Sequence, residues 1–325
     1  MLSRVADSLF WLGRYIERAE NYARFIEVNL NLSLDLPPGI NEQWKPLVLA
    51  TGGQSLFEQS QDSYVKEEVI HFLAFDKENP FSMLRSIELA RENSRIIREN
   101  ISREAWETLN GIYYYMKNAT TRKVWLKEDP RDFFNTIRAR IHALNGLAYS
   151  AESRTEGWYF NQMGQYIERA DKTSRILDVK YHTLLPSVDE IGTPLDYLHW
   201  AALLRSVGAF NAHRRVYGKI TGQSVLEFLL LNKYFPRSVF FCLLTFENCL
   251  QEITGKHRGY RNLLEKTIGA LRSELEFTDK ETIASYGVHE YIDQLQIKIN
   301  NISDIISDQY FGNKSNFASE LTNEE

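Results

Sequence analysis

The sequence predicts an all-α protein, built from two tandem, diverged helical repeats that pack about a pseudo-twofold axis. The first observation is a repeated signature, because residues 12–19 read LGRYIERA and residues 163–170 read MGQYIERA, 151 positions later. The second is that apolar residues recur with helical period along almost the whole chain, without the period-two alternation of strands. The third is a further match at a spacing of 156, which pairs Trp44 with Trp200 and Pro80 with Pro236.

Six helices are predicted in the first half. The signature helix covers residues 3–34, with Ser3 as its expected N-cap, and Pro-Pro-Gly at 37–39 ends it. The next three helices are predicted at residues 41–53, 62–75 and 81–101. Ser102 is expected to cap the fifth helix and Pro130 to open the sixth. The second half repeats this order, with residues 258–277 and 278–307 as the last two helices and a small insertion at 185–194.

The repeat also predicts the domain boundaries. Residues 1–154 are expected to form the first repeat, and residues 155–311 the second, packed against the first as one domain. Residues 312–325 are predicted to be a polar, disordered tail.

Composition excludes several classes of protein. The net charge of −5 lacks the basic excess of a general nucleic-acid binder. The longest apolar run, residues 239–246, is far too short to span a membrane, and the N-terminus does not resemble a secretory signal. The two cysteines, Cys242 and Cys249, are seven apart on one predicted helix and therefore beyond disulfide reach. These features predict a cytoplasmic protein.

A polar row lies opposite the apolar stripe of each signature helix. One interpretation is a solvated face, which is what charged helical rows usually form. The other is a charged site shared by the two repeats, in which Glu17 meets Arg169 or Arg175. Glu168 would then meet Arg18 or Arg24, and buried arginines in excess of carboxylates would indicate an anionic ligand. The row consists of Arg14, Glu17, Asn21 and Arg24 in the first copy and Gln165, Glu168, Lys172 and Arg175 in the second.

The predicted fourth helix offers further arginines. Arg91, Arg95 and Arg98 recur on one helical face. One interpretation is that these arginines supply the excess positive charge of a site. The other is that they form a solvated face, on which Glu88, Glu92 and Glu99 neutralise their charge. The corresponding segment of the second half, residues 239–253, is almost wholly apolar, and this divergence favours one asymmetric site over two equal ones.

Other chemical signals are weaker. Glu68 and His71 have the Glu-x-x-His spacing of di-metal bundles, but no second copy of this motif occurs, so no metal or other cofactor is predicted. His199 and His213 are interpreted as a packed and a partly exposed histidine. No phosphate-binding loop or nucleophile elbow is present.

Four segments of the chain resemble the bacterial alpha-E family, a helical family named for its Glu-Arg motif. They are MLSRVADSLFWLGRYIERAENYAR, ARENSRIIRENIS, GWYFNQMGQYIERADKTSRILD and FPRSVFFCL. The resemblance implies a genetic setting beside circularly permuted ATP-grasp proteins and transglutaminase-like proteins. It also implies a role in making or modifying a peptide or amide-linked metabolite.

Two functions are therefore considered. The first is a helical accessory or binding protein that acts with an ATP-grasp-type amide ligase and holds an anionic peptide, a phosphorylated intermediate or a partner. The second is an enzyme in which Glu17 or Glu168 is a general acid or base beside arginines. The expected ligand-binding residues are Arg14, Glu17, Arg18, Arg24, Arg91, Asn93, Arg95, Glu168, Arg169 and Arg175.

Overall fold

The computed structural model describes residues 1–36, 44–127, 129–183, 192–255 and 259–312, and within these ranges it contains helices and no strand. The all-α prediction is confirmed. No helix in this described part is long and apolar enough to cross a membrane. The α-helices are α1 Ser3–Asp35, α2 Lys45–Thr51, α3 Gln54–Glu58, α4 Lys66–Ile70, α5 Met83–Ile96, α6 Arg103–Arg122, α7 Val124–Lys127, α8 Arg131–Ala151, α9 Glu156–Thr183, α10 Pro194–Ser206, α11 Phe210–Tyr217, α12 Gly222–Leu231, α13 Val239–Thr254, α14 Leu263–Phe277, α15 Lys280–Tyr286 and α16 Val288–Ile306.

The two signature helices, α1 and α9, pack against each other along their length. Asn161 Nδ2 donates a hydrogen bond to Leu9 O at 3.1 Å, and the Arg169 side chain reaches Glu17 further along. Contacting residues thus keep an offset of about 150 in the sequence. A constant offset means that the two helices run parallel.

The backbones of α1 and α9 come closest at the two signature glycines. A Cβ atom on Gly13 would lie 2.1 Å from Asn161 O, and a Cβ atom on Gly164 would lie 1.9 Å from Phe10 O. Asn161 and Phe10 each precede a signature glycine by three residues, so the two contacts are reciprocal, as they are across a twofold interface. Glycine is required at both positions because no side chain fits between the helices.

The remaining helices surround this pair in a reciprocal pattern. Helices α5 and α8 pack on α1, whereas α13 and α16 pack on α9. The short α2 crosses over to α9, and α10 crosses over to α1. A duplicated chain would pack in this way, although the duplication itself and its boundaries remain inferences from the sequence.

Helices α5 and α13 begin with the same local structure. The Ser82 hydroxyl accepts a hydrogen bond from Arg85 N at 3.2 Å and donates one to Asp76 O. Ser238 likewise accepts from Phe241 N at 3.1 Å and donates to a backbone carbonyl six residues earlier. Each serine thus caps its helix and also closes the preceding loop.

Several predicted boundaries are wrong. The helix predicted at 62–75 begins at Lys66 and ends in the π-helical turn His71–Phe75. The helix predicted at 81–101 begins at Met83, because Ser82 caps it, and is followed by the 3-10 turn Arg98–Asn100. Ser3 begins α1 without capping it.

The end of the chain departs from the prediction in a similar way. Helix α14 begins at Leu263, after the side chain of Asn262 caps it, and not at 258. The segment predicted as one helix at 278–307 is divided into α15 and α16 at Gly287, whose φ of 100° ends the helix. Most of the predicted insertion and tail, residues 184–191 and 313–325, lies outside the described residues.

Candidate functional site

The polar rows of α1 and α9 are buried between helices. The side chains of Glu17 and Glu168 are both 0% exposed, and Asn21 and Lys172 are also buried. The interpretation of these rows as a solvated face is therefore wrong. The rows face each other because α1 and α9 are covered on their other sides by α5, α8, α13 and α16.

Glu168 is held by three cations. Arg18 Nε lies 2.6 Å from Glu168 Oε1, and Arg18 Nη2 lies 3.1 Å from Oε2, so the pair is bidentate. Arg14 Nε donates to Oε2 at 2.8 Å, and Lys172 Nζ lies 3.7 Å from Oε1. Both carboxylate oxygens are thus occupied.

Glu17 has a matching environment. Arg169 Nε lies 2.9 Å from Glu17 Oε1, and Arg169 Nη2 lies 2.7 Å from Oε2. Arg237 Nη1 donates to Oε1 at 2.8 Å and to Asn21 Oδ1 at 2.9 Å. The predicted crossed pairs are therefore present as Glu17–Arg169 and Glu168–Arg18.

These cations keep both signature glutamates ionised. Burial alone would raise the pKa of Glu168, but the charges of Arg18, Lys172 and Arg14 hold it well below its usual value. The pKa of Glu17 is also lowered, because Arg169 and Arg237 outweigh its burial. A carboxylate of low pKa with both oxygens occupied is a poor general acid or base at neutral pH, so this geometry argues against the enzymatic alternative.

The other predicted arginines lie elsewhere. Arg24 and Arg175 pair with carboxylates on their own helices, Glu20 and Asp171, and not across the helix pair. Both of these acids are buried, and they lie 151 residues apart, like the signature glutamates. These two acids were not predicted from the sequence, although their repeated spacing was a usable signal.

The fourth-helix arginines do not join this centre. Arg91 Nε donates to Asn110 Oδ1 on α6 at 2.7 Å, and its guanidinium lies over the Tyr113 ring. Arg95 is exposed and pairs with Glu92, as the solvated interpretation predicts. Asn93, which neighbours Glu92, is half-buried. These residues stay predictions as ligand groups, but the structure places them apart from the signature glutamates.

Arg237 was not predicted, although it contacts two carboxylates of α1. Besides Glu17, it donates through Nη2 to Glu20 Oε2 at 2.7 Å. It follows Pro236 just before α13, where the first half has Phe81 after Pro80. Arg138 on α8 also reaches α1, where it pairs with Glu27 and lies 3.9 Å from Glu20.

We call the connected ion pairs of α1, α9, α8 and Arg237 the Glu-Arg network. Among the described residues, its ion pairs join eight lysine and arginine side chains to five carboxylates, which leaves positive charge uncompensated by these partners. The cations are Arg14, Arg18, Arg24, Arg138, Arg169, Lys172, Arg175 and Arg237, and the carboxylates are Glu17, Glu20, Glu27, Glu168 and Asp171.

Tyr22 adds an unused polar group to this network. The residue is 1% exposed, and its hydroxyl has no hydrogen-bond partner among the described residues. Burial raises the pKa of Tyr22, although Lys172 and Arg18 oppose this effect. The hydroxyl therefore keeps its proton and can donate a hydrogen bond to an anion.

A cavity of about 350 Å³ opens beside the helix crossing. It lies among α1, α6, α8 and the start of α9, and Gly13 forms part of its wall. Leu12, Ile16, Leu109 and Leu144 supply apolar surface. Its polar lining includes Ser94, Glu99, Asn145, Glu152, Asn161 and Gln165.

The corresponding place in the second half is filled. The Phe311 ring lies 5.5 Å from that of Phe10 and 6.1 Å from that of Phe160, measured between centroids. At the spacing of 151, Phe10 corresponds to Asn161 and Phe160 corresponds to Leu9. Asn161 and Leu9 both line the cavity. Among the described residues, the matching space on the other side of the α1–α9 pair is thus occupied, so the cavity is asymmetric.

The remaining predicted candidates have packing roles. His71 contacts the Trp125 ring at 5.1 Å, and no group of three or more His, Cys, Asp or Glu residues in the described ranges could hold a metal ion. His199 is buried. The prediction of a partly exposed His213 is wrong, because it is 0% exposed and stacks on Tyr217.

Comparison with known proteins identifies relatives that match most of the chain. The uncharacterized proteins Mb2597 of Mycobacterium bovis and MT2643 and Rv2567 of Mycobacterium tuberculosis are each 23% identical over 306 residues. The match covers 86% of this chain but 33% of each relative, so the chain spans about a third of their length. No solved structure matches the chain.

The family comparison covers almost all of the described protein. Residues 1–311 match the Alpha-E family, which is described as a predicted alpha-helical domain with a conserved ER motif. This chain has the Glu-Arg dipeptides Glu17-Arg18 and Glu168-Arg169, whose crossed ion pairs join α1 to α9. The chain belongs to the Alpha-E family.

Proposed function

We propose that this protein is a non-enzymatic accessory and binding module of an ATP-grasp-type amide ligase. It acts in the synthesis or modification of a peptide or amide-linked metabolite. The Glu-Arg network holds an anionic group of the ligand or of a phosphorylated intermediate. The cytoplasm, where ATP is available, is the expected location.

The positive charge of the network is the observation that carries this proposal. Eight cations share five carboxylates, and the buried Tyr22 hydroxyl beside them has an unused proton. Uncompensated charge in a low-dielectric setting is costly, and an anion that accepts hydrogen bonds would remove that cost. Arginine suits this role because its donors are fixed in a plane.

Arg175 and Arg138 are where an anion can reach the network. Their side chains are 26% and 21% exposed, whereas Arg18 and Lys172 are below 10%. Asp171, the partner of Arg175, also has Lys172 at 2.8 Å. Arg175 can therefore turn towards a ligand without leaving Asp171 unpaired.

Two observations support the association with a larger assembly. The resemblance of the signature segments implies a genetic setting beside ATP-grasp and transglutaminase-like proteins. About two thirds of each mycobacterial relative lies beyond the matched region. A helical module that is found within longer chains is well suited to act together with other domains.

The anion site is tested with Arg175→Gln, which removes the guanidinium charge and keeps a polar side chain. Binding of inorganic phosphate and of glutamyl-glutamate is measured by calorimetry, with Arg103→Gln as the matched control because Arg103 is exposed on α6 and belongs to no predicted site. We expect at least one probe to bind the wild type and the control alike, and to bind Arg175→Gln about tenfold more weakly. Equal binding to all three proteins, or none to any, would refute the anion site.

The accessory role is tested with the purified ATP-grasp partner. Its amide-forming rate is measured alone, with the wild-type protein and with Arg175→Gln, and a pull-down measures association. We expect the wild type to bind the partner and raise the rate, and the variant to bind with a smaller effect. An amide-forming rate that is indifferent to the wild-type protein would refute the accessory role.

A further inference from the structure

We propose that the cavity beside the helix crossing is a second binding site, which takes a small ligand with a primary ammonium group and a neighbouring amide. This site differs in charge from the Glu-Arg network. Its lining contains the carboxylates Glu99 and Glu152 and, among the described residues, no lysine, arginine or histidine. A carboxylate wall without cations favours a cationic ligand.

Glu152 is the group that would meet the ammonium. Its Oε1 accepts one long hydrogen bond, from Ser102 N at 3.4 Å. Burial raises the pKa of Glu152, and this backbone N–H offsets the effect only in part, which means that its negative charge lacks a strong partner. A ligand ammonium would supply that partner through a charge-assisted hydrogen bond.

Three side-chain amides are placed to recognise an amide. Gln165 is 8% exposed, lines the cavity and has no side-chain hydrogen bond among the described residues. Asn145 lines it from α8. Asn161 uses its Nδ2 on Leu9 O, which leaves its Oδ1 free to accept a ligand N–H. A buried amide without a partner is costly, so a ligand amide that hydrogen-bonds Gln165 would remove that cost.

The size and the apolar wall limit the ligand further. A volume of about 350 Å³ is near the lower end of the range for small-molecule sites, roughly 300–1,000 Å³. Leu12 and Ile16 of α1 and Leu109 of α6 would contact a short apolar side chain. A dipeptide or aminoacyl amide with a free amino end has all these features. Because amide ligation consumes an amine, the cavity suits the amine component, a link that rests on the proposed function.

The charge requirement is tested by titrating the full chain with leucyl-alanine amide and with its N-acetyl form, which lacks the ammonium. Glu152→Gln removes the carboxylate charge, and Glu107→Gln is the matched control because Glu107 lies on the exposed face of α6. We expect acetylation of the probe and Glu152→Gln each to weaken binding at least tenfold, and the control to change nothing. Circular dichroism confirms that each variant is folded.

A second variant tests the position of the site. Ala148→Leu places a larger side chain into the cavity from α8 and should also weaken binding at least tenfold. If Glu152→Gln does not fold, the proposal is tested by Ala148→Leu and by the acetylated probe. Equal binding of the free and acetylated probes, or no binding to the wild type at about 10 mM, overturns the proposal. The ligase assay is independent, so failure of the accessory role leaves these outcomes unchanged.

Discussion

Replacing Gly164 with alanine should destabilise the protein by forcing α1 and α9 apart. The new Cβ atom would lie 1.9 Å from Phe10 O, which is about 1 Å closer than proteins tolerate. The obstacle is a backbone oxygen on a helix, so no side chain can rotate away to make room. The helices must separate, and the bidentate pairs Glu17–Arg169 and Glu168–Arg18 must lengthen with them.

The expected loss can be estimated from two opposing effects. Overpacking a rigid contact costs about 1–3 kcal/mol, and the upper end applies because the contact is made by backbone. Alanine gains about 1 kcal/mol over glycine in helix propensity. The free energy of unfolding of Gly164→Ala should therefore fall by about 2 kcal/mol.

Gly146 provides the matched control. It lies within α8, as Gly164 lies within α9, but a Cβ atom there would have no neighbour within 4 Å. Gly146→Ala should therefore raise the free energy of unfolding by up to about 1 kcal/mol. Urea denaturation followed by circular dichroism measures both variants. If Gly164→Ala is as stable as Gly146→Ala, the close crossing of α1 and α9 is refuted.

Three further predictions concern the charged and thiol groups. Arg18→Ala should lower the free energy of unfolding by about 3 kcal/mol in urea titrations, because Glu168 stays buried with fewer partners; Arg95→Ala, at an exposed pair, should stay within about 0.5 kcal/mol, and equal effects would contradict the burial. The folded-state pKa of Glu168 lies well below the unfolded value of 4.5, so its contribution is present above that pH and is lost as the pH falls through the folded pKa. Stability measured from pH 7 to pH 3 should therefore decline below about pH 4.5, and a Glu168→Gln variant should decline less steeply. Burial raises the pKa of the Cys242 and Cys249 thiols to about 12, so neither should react with a thiol reagent until urea unfolds the chain, and fast labelling of the native protein would show that they are accessible.

The central ion pairs were predictable because the information lies in a repeated local pattern. Each signature helix carries glutamate and arginine in adjacent positions, and parallel packing of two such helices brings each glutamate to the other arginine. Only helical period and the spacing of 151 are needed for this inference. Whether Glu17 pairs with Arg169 or with Arg175 depends on how far α1 and α9 are shifted along each other. That shift is fixed where the two helices come closest, at Gly13 and Gly164.

The cavity and Arg237 were not predictable from local pattern. Arg237 lies 220 positions after Glu17, and it reaches α1 from the loop before α13. The cavity exists because α8 ends at Ala151, whereas α16 continues into a π-helical turn that carries Phe311 into the matching space. The cavity and the position of Arg237 both depend on where segments distant in the sequence end. The periodicity of apolar residues along one helix does not contain this information.

The differences between the two signature helices compensate one another. Gln165 is the counterpart of Arg14, and Asn21 is the counterpart of Lys172. Gln165 and Asn21 are uncharged, so Glu17 lacks the two additional cations that Glu168 has. Arg237 compensates for the missing cations, because it donates a hydrogen bond to Glu17. The corresponding residue of the first half is the apolar Phe81.

This exchange has a consequence for binding. Because Arg237, in the loop before α13, pairs with Glu17, the side chain at position 165 is not needed as a cation. A neutral amide there can turn into the cavity, where an arginine would fill space and repel an ammonium group. Glu17 and Glu168 thus each keep a bidentate arginine and at least one further cation, while the side chain at position 165 leaves room in the cavity. Gln165→Arg should then abolish binding of the ammonium probe without loss of the Glu17–Arg169 pair, which the unchanged stability of the variant would show.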